Sequence, residues 1–348
     1  MKHKGLIAVL QEIGIKLHKS RLEFLSMLII GMIESRTVNL KTLVTSMQSQ
    51  ARNNSVYRRA QRFFSEVEIG QLLFTGIVLS LLKKERYILT IDRTNWKFGS
   101  LDINILMLAI ADEGLAIPIA FRLLNKTGNS NSLERVQIIE HVLRFIPAEQ
   151  IEVLLADREF IGRDWFGFLE SRNIAFAIRM RENVLADEWF KLACFFNNLK
   201  SGQIKELKHV YKINGCRLSV IASRDKTNQL LIIVSNRNPG WALAMYKLRW
   251  QIESLFKALK TSGFNLEDTH LRHIGRLSTL IAVVSLAFVW ALKTGHRLNG
   301  LKPIPRKSHG RRAVSVFRLG LDHLRHSIAM FSLDYKLLDK AFRFLSCT

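Results

Sequence analysis

The chain has 348 residues, 48% of them hydrophobic, which excludes a wholly disordered protein and leaves room for about two domains. Its 52 Lys and Arg against 29 Asp and Glu give a formal net charge of +23, which points to a polyanionic partner, nucleic acid first. Three cysteines, Cys194, Cys216 and Cys347, lack paired spacing; this excludes a disulfide framework or a Cys-based zinc site and fits a reducing, cytoplasmic setting.

The basic start of the chain carries no small-residue cleavage site, and its apolar run ends at Gln11-Glu12, so no signal peptide is read. Residues 1–85 read as a helical DNA-binding region. Leu22, Leu25, Met27, Leu28 and Ile29, then Leu40, Leu43 and Val44, recur at helical spacing. Ser55 is placed to cap a helix through Phe64 that presents Arg58, Arg59 and Arg62, a face that suits phosphates and equally suits solvent. Phe63, Phe64, Leu72, Leu73 and Phe74 read as core.

From Arg86 the pattern turns to strands. Tyr87–Asp92, Ile103–Ala111 and Ala116–Arg122 follow one another across an Asp-Glu-Gly turn, giving an antiparallel start to a sheet. A helix over Ser132–Phe145, a buried strand over Ile151–Ala156 ending on Asp157, a helix over Gly162–Arg172 and a strand over Ala175–Ile178 complete a mixed sheet flanked by helices, an α/β architecture. Residues 183–238 read as a β-rich insertion with strands near 203–208, 217–222 and 230–234. After Asn238-Pro239-Gly240 the chain is helical. Its longest uncharged apolar run, Leu277–Leu292, has 16 residues against the roughly 20 of a membrane helix and reads as a buried core helix, so no membrane partner is expected. Residues 301–348 form a basic helical region in which Arg311 and Arg312 are candidates for holding DNA backbone. No internal repeat is visible.

Asp92 and Asp157 each follow an apolar strand. In open α/β sheets ligands bind beyond the strand ends, and two carboxylates meeting there could hold a divalent metal through hard oxygens. Taken singly, either Asp also reads as a turn or cap residue. Trp241–Lys260 lacks Gly and Pro and reads as one helix with an apolar stripe of Leu248, Ile252, Leu255, Phe256 and Leu259. Tyr246, Arg249, Glu253 and Lys260 lie beside that stripe within an arc of about 60° at roughly 100° per residue. Such a helix could aim Glu253 at the sheet edge, although Arg249 and Glu253 also suit a surface i,i+4 pair.

The Tyr246-x2-Arg249-x3-Glu253-x6-Lys260 spacing resembles the signature of the fourth insertion-sequence family of bacterial transposases. Thr90-Ile91-Asp92-Arg93-Thr94-Asn95-Trp96 and Ala156-Asp157-Arg158-Glu159-Phe160 resemble that family's first and second Asp blocks, and the likeness runs over about residues 86–270. The resemblance implies a ribonuclease-H-like catalytic domain at 86–300 with its β-rich insertion, and an Asp92, Asp157 and Glu253 triad that is catalytic and binds two Mg²⁺ ions, with Mn²⁺ able to substitute. It implies that Tyr246, Arg249 and Lys260 contact transposon-end phosphates. The implied partners are double-stranded DNA, as terminal inverted repeats and target, and a second copy of the chain in a homodimer; the implied location is the cytoplasm, at the nucleoid when DNA is bound.

Some members of that family stack a flipped base on a Trp near the start of the last insertion strand. Gln229-Leu230 stands there, with Trp189 and Trp241 as possible substitutes. The implied activity is metal-dependent cleavage at transposon ends followed by strand transfer into target DNA. The alternatives are a catalytically silent, transposase-derived DNA-binding protein and a metal-dependent nuclease that cuts without joining. His270, His273, His309, His323 and His326 lack metal spacing and are expected to face DNA or solvent. Trp96, four residues after Asp92, reads either as a site wall or as packing.

Overall fold

Five helices open the chain: α1 (Lys4–Glu12), α2 (Lys19–Ser35), α3 (Leu40–Ser46), α4 (Asn53–Glu66) and α5 (Gln71–Leu82). They belong to a computed structural model that describes residues 3–47, 49–308 and 310–345; His309 and Cys347 lie outside these. The chain divides into two compact units. The helical unit comprises Met1–Lys83, Trp96–Leu101 and Phe256–Thr348, and the α/β unit Lys84–Asn95 and Asp102–Leu255. In the helical unit, helices from the beginning and the end of the chain pack on each other, α2 against the helices Ile274–Leu301 and Val316–Ala329 and α1 against the helix Tyr335–Arg343.

The α/β unit contains β1 (Tyr87–Phe98), β2 (Leu101–Asp112), β3 (Leu115–Leu124), α6 (Ser132–Leu143), β4 (Ile151–Ala156), α7 (Arg163–Ser171) and β5 (Phe176–Met180). The last residues of β1 and the first of β2 belong with the helical unit. Then come the short strands β6 (Leu185–Ala186), β7 (Phe190–Lys191), β8 (Ile204–Glu206) and β9 (Tyr211–Ile213), and the longer β10 (Cys216–Arg224) and β11 (Leu230–Ser235). The main sheet runs β3-β2-β1-β4-β5-β11-β10-β8, with β1, β4 and β5 parallel and β11 antiparallel to β5. This mixed sheet with flanking helices is the α/β, ribonuclease-H-like arrangement expected from the sequence.

Local chemistry accounts for several boundaries. Glu113 (φ 45°) and Gly114 (φ 97°) both take positive φ between β2 and β3, as a two-residue primed hairpin turn requires. Asn131 and Glu134 form a reciprocal capping box that starts α6. The β-rich 183–238 segment continues the main sheet through its strands β11, β10 and β8, because the apolar run of β11 finds its partner in β5.

In the helical unit the chain returns as α10 (Ile274–Leu301), α11 (Val316–Ala329) and α12 (Tyr335–Arg343), after α8 (Pro239–Tyr246) and α9 (Gln251–Lys257) of the preceding helical run. By length and composition α10 could cross a membrane, yet 78% of its apolar window is buried in the protein. α4 starts two residues before the expected cap: the Arg52 carbonyl already accepts from the Ser55 and Val56 amides at 2.8 and 3.2 Å. Phe63, Phe64 and Phe74 are core as expected, but Leu72 is 52% exposed, since it falls on the outer face of α5.

Candidate active site

Strand register places the two aspartates side by side. β1 and β4 pair in parallel up to Ile91↔Ala156, so Asp92 on β1 and Asp157, the residue after β4, take the next positions in the register. Asp92 is not at the end of its strand. β1 runs on to Phe98 while β4 stops at Ala156, which leaves Asp92 where the sheet loses a neighbour.

The third carboxylate comes from the helical run after β11. Asn238 caps α8 by accepting from the Trp241 amide at 3.2 Å, and Pro239 stands in the first turn, where its missing N–H is harmless. Ala242, Leu243 and Tyr246 pack into a cluster with Val153, Leu155, Ala177, Ile221 and Ile233 of the sheet. The expected single α-helix is instead α8, a 3₁₀ turn over Lys247–Trp250, α9 and a π turn over Ala258–Ser262. The tighter 3₁₀ turn contains Arg249, so the uniform 100° arc does not describe this face.

Arg249 joins the elements. Its side chain is 4% exposed; Nη1 lies 3.4 Å from Asp92 Oδ2, and Nη2 donates to Glu253 Oε1 at 2.7 Å. Burial acts to lower this guanidinium, but Tyr246, Glu253, Asp157 and Asp92 outweigh it and hold it above its ordinary value. Tyr246, expected at phosphates, is packed into the core at 3% exposure with its hydroxyl buried and without a hydrogen-bond partner. Burial pushes that phenol up. Lys260 belongs to the helical unit, where it pairs with Glu267 at 2.5 Å and lies 5.7 Å from the Trp96 ring centroid. Trp96 itself is 8% exposed, which favours packing.

Arg93, Ser130, Arg135 and Glu159, which the sequence patterns do not single out as site residues, support the aspartates. Arg93 Nε donates to both oxygens of Glu159 at 3.1 and 3.2 Å, and the Arg93 amide donates to Asp92 Oδ1 at 2.7 Å. Glu159 also accepts from the Ser130 amide and hydroxyl, both at 3.1 Å. Buried Arg135 donates to the Glu159 carbonyl at 3.0 Å. The two Asp blocks are therefore clasped to each other. The available signal was opposite charge one and two residues after the respective aspartates. Arg179 Nη1 stands 3.9 Å from Asp157 Oδ1, an oxygen that is buried with no hydrogen-bond donor.

Burial pushes the Asp92 carboxyl up to about 6; the Arg93 amide and Arg249 pull it down, while Asp157 and Glu159 add to the rise. A carboxyl raised above its unfolded value stabilises the fold fully below the unfolded value, near 3.8, and loses that contribution as pH rises through about 6. In EDTA, the stability of Asp92→Asn relative to wild type should accordingly rise between pH 4 and 7, by up to about 3 kcal/mol. Thermal melts across that range check this, and a constant gap between the two proteins would refute it.

The other expected contacts are spread over the chain. In α4, Arg58 and Arg62 are exposed, whereas Arg59 turns inward, donating to the Ser20 carbonyl at 2.8 Å and lying 4.8 Å from the Phe24 ring centroid. Arg311 is exposed and Arg312 half-buried, in a turn bridged by Arg306 and Arg312. His270 stacks on Phe98 at 5.2 Å and His273 caps α10, so both have structural work in place of the expected free faces. Trp189 is 81% exposed, and Trp241 packs against the α8 cluster.

Among the described residues, no three His, Cys, Asp or Glu side chains stand close enough to hold a metal ion together. Arg249 instead serves as counter-ion to Asp92 and Glu253. A family model described as a transposase DDE domain matches residues 83–290. No curated protein matches the chain.

Proposed function

Since the chain belongs to the transposase DDE domain family, we propose that it is a DNA transposase of the fourth insertion-sequence type, which cuts DNA at the ends of its element and joins the freed ends to a target. The observation that carries this reading is the register of β1 and β4, which sets Asp92 beside Asp157, together with Arg249, which ties Asp92 to Glu253.

The donor set suits a hard divalent cation. Asp157 Oδ1 is buried without a hydrogen-bond donor, and the Asp92 carboxyl is pushed up by burial and by neighbouring carboxylates, so a cation there would relieve both. Asp92 and Asp157, joined by Glu253 once it leaves its Arg249 partner, would hold Mg²⁺, which when bound would supply activation of the attacking oxygen and charge stabilisation at the leaving oxygen. In hydrolysis a water oxygen bonds to phosphorus and the bond to the 3′ oxygen of the element end breaks. In joining, that 3′ hydroxyl bonds to a target phosphorus and displaces the target's own 3′ oxygen, so phosphodiester number is conserved.

Within this reading the paired strands β1 and β4 hold the Asp92 and Asp157 carboxylates side by side as oxygen donors for the cation. Tyr246 anchors the helical run by packing, and Arg249 holds Glu253 and contributes positive charge toward phosphate. Lys260 of the helical unit, exposed Arg58 and Arg62 of α4, and Arg311 and Arg312 serve the DNA backbone. Two ends must be joined, so the working form is a dimer on DNA; sedimentation with end duplex reads this directly.

The test uses a labelled duplex taken from the DNA flanking the coding region, with a target plasmid and Mg²⁺. Products longer than the substrate, covalently joined to plasmid, are expected. Cleavage without joined products would identify a nuclease, and binding without cleavage a silent DNA-binding protein.

A further inference from the structure

The helical unit carries a cationic groove between α10 and α12. Lys293, His296 and Arg297 are spaced i, i+3 and i+4 and share one face of α10; Lys336, Lys340 and Arg343 are spaced i, i+4 and i+7 and share one face of α12. These two ridges line a concavity of about 1050 Å³. Among the described residues of the lining Asp339 is the acid, and it pairs with Arg343 at 2.9 Å.

The groove is built on a firm floor. α12 buries Leu338, Ala341 and Phe342; Phe342 stacks on Trp290 of α10 at 5.5 Å, and Trp290 Nε1 donates to the Ala341 carbonyl at 2.9 Å. With its apolar face committed inward, α12 keeps its charges outward and has no apolar face to lay into a bilayer. Arg297, Lys336, Lys340 and Arg343 are exposed, and Tyr335, 63% exposed, stands at the edge.

We infer that this groove binds the phosphate backbone of duplex DNA without reading its sequence. Lys and Arg on regular helical rows match a chain of phosphates, and among the described residues of the lining none is an Asn or Gln placed to read base edges. The inference relies on the transposase reading only for the identity of the polyanion.

The test measures affinity of the full chain for a labelled duplex of arbitrary sequence, in EDTA, over a series of salt concentrations. No cleavage is needed, so the result is independent of whether the triad performs chemistry. For Lys336→Gln with Lys340→Gln, affinity should fall about tenfold or more, and the slope of log affinity against log salt should flatten by about 2. The control, Lys200→Gln with Lys226→Gln, removes the same charge from exposed positions of the α/β unit and should stay near wild type. Three results would overturn the inference: no change in the groove variant, equal losses in both variants, or binding to phosphatidylserine vesicles in place of the duplex. Both lysines are exposed, so the fold should survive, which a thermal melt verifies.

Discussion

Glu253→Ala should bind an element-end duplex as wild type does and cleave it about 10³-fold or more slowly, a loss of roughly 4 kcal/mol of transition-state stabilisation. The two readouts separate because of where the side chain sits. Glu253 is 39% exposed and packs little, so its removal should change stability by about 1 kcal/mol or less, whereas its Arg249 partner is 4% exposed. Arg249 would keep Asp92 as counter-ion and remain available to phosphate. Single-turnover cleavage of a labelled duplex in Mg²⁺, alongside binding in EDTA, gives both numbers. Equal cleavage by the two proteins would remove Glu253 from the chemistry and with it the triad.

Gly320→Ala should destabilise the helical unit by about 3 kcal/mol or more, a large effect for one methyl group. α10 and α11 approach so closely at this point that a Cβ on Gly320 would overlap the Ala291 carbonyl oxygen and the Gly295 amide nitrogen. These are backbone atoms of a helix and cannot rotate away. The rest of the interface would have to separate, and it carries stacked contacts such as Phe288 on Phe317 at 5.0 Å. Gly275→Ala provides the contrast. Near the start of α10 its Cβ would meet only the His273 ring at 3.5 Å, and the gain in helix propensity should leave stability unchanged or raised by up to about 1 kcal/mol. Denaturant unfolding followed by circular dichroism compares the pair; similar midpoints would mean that the close approach is not a constraint.

The candidate site was legible in the sequence to the extent that its residues sit in local patterns. Asp92 and Asp157 follow apolar runs, and Glu253 follows Arg249 at a helical interval; each is visible within a short window. Their relation was not visible. Whether Asp92 faces Asp157 depends on pairing between Ile91 and Ala156, which are far apart in the chain. Arg59 and Arg249 show the same divide. Both look like surface cations in sequence, yet one is drawn over Phe24 and the other into the carboxylates.

Composition and periodicity by themselves determined the basic character of the chain, the order of its main strands and helices and the burial of the α10 apolar run. Each of these depends on a residue and its near neighbours, through charge, hydrophobic spacing and backbone preference. Only the tertiary structure decided that β11, β10 and β8 extend the main sheet, that Asp92 lies inside its strand, that Tyr246 is core, and that α10 and α12 set their cations around one groove. These depend on which distant segments pack together. Burial, counter-ions and pairing register are properties of that packing, set by which apolar faces exclude water from one another.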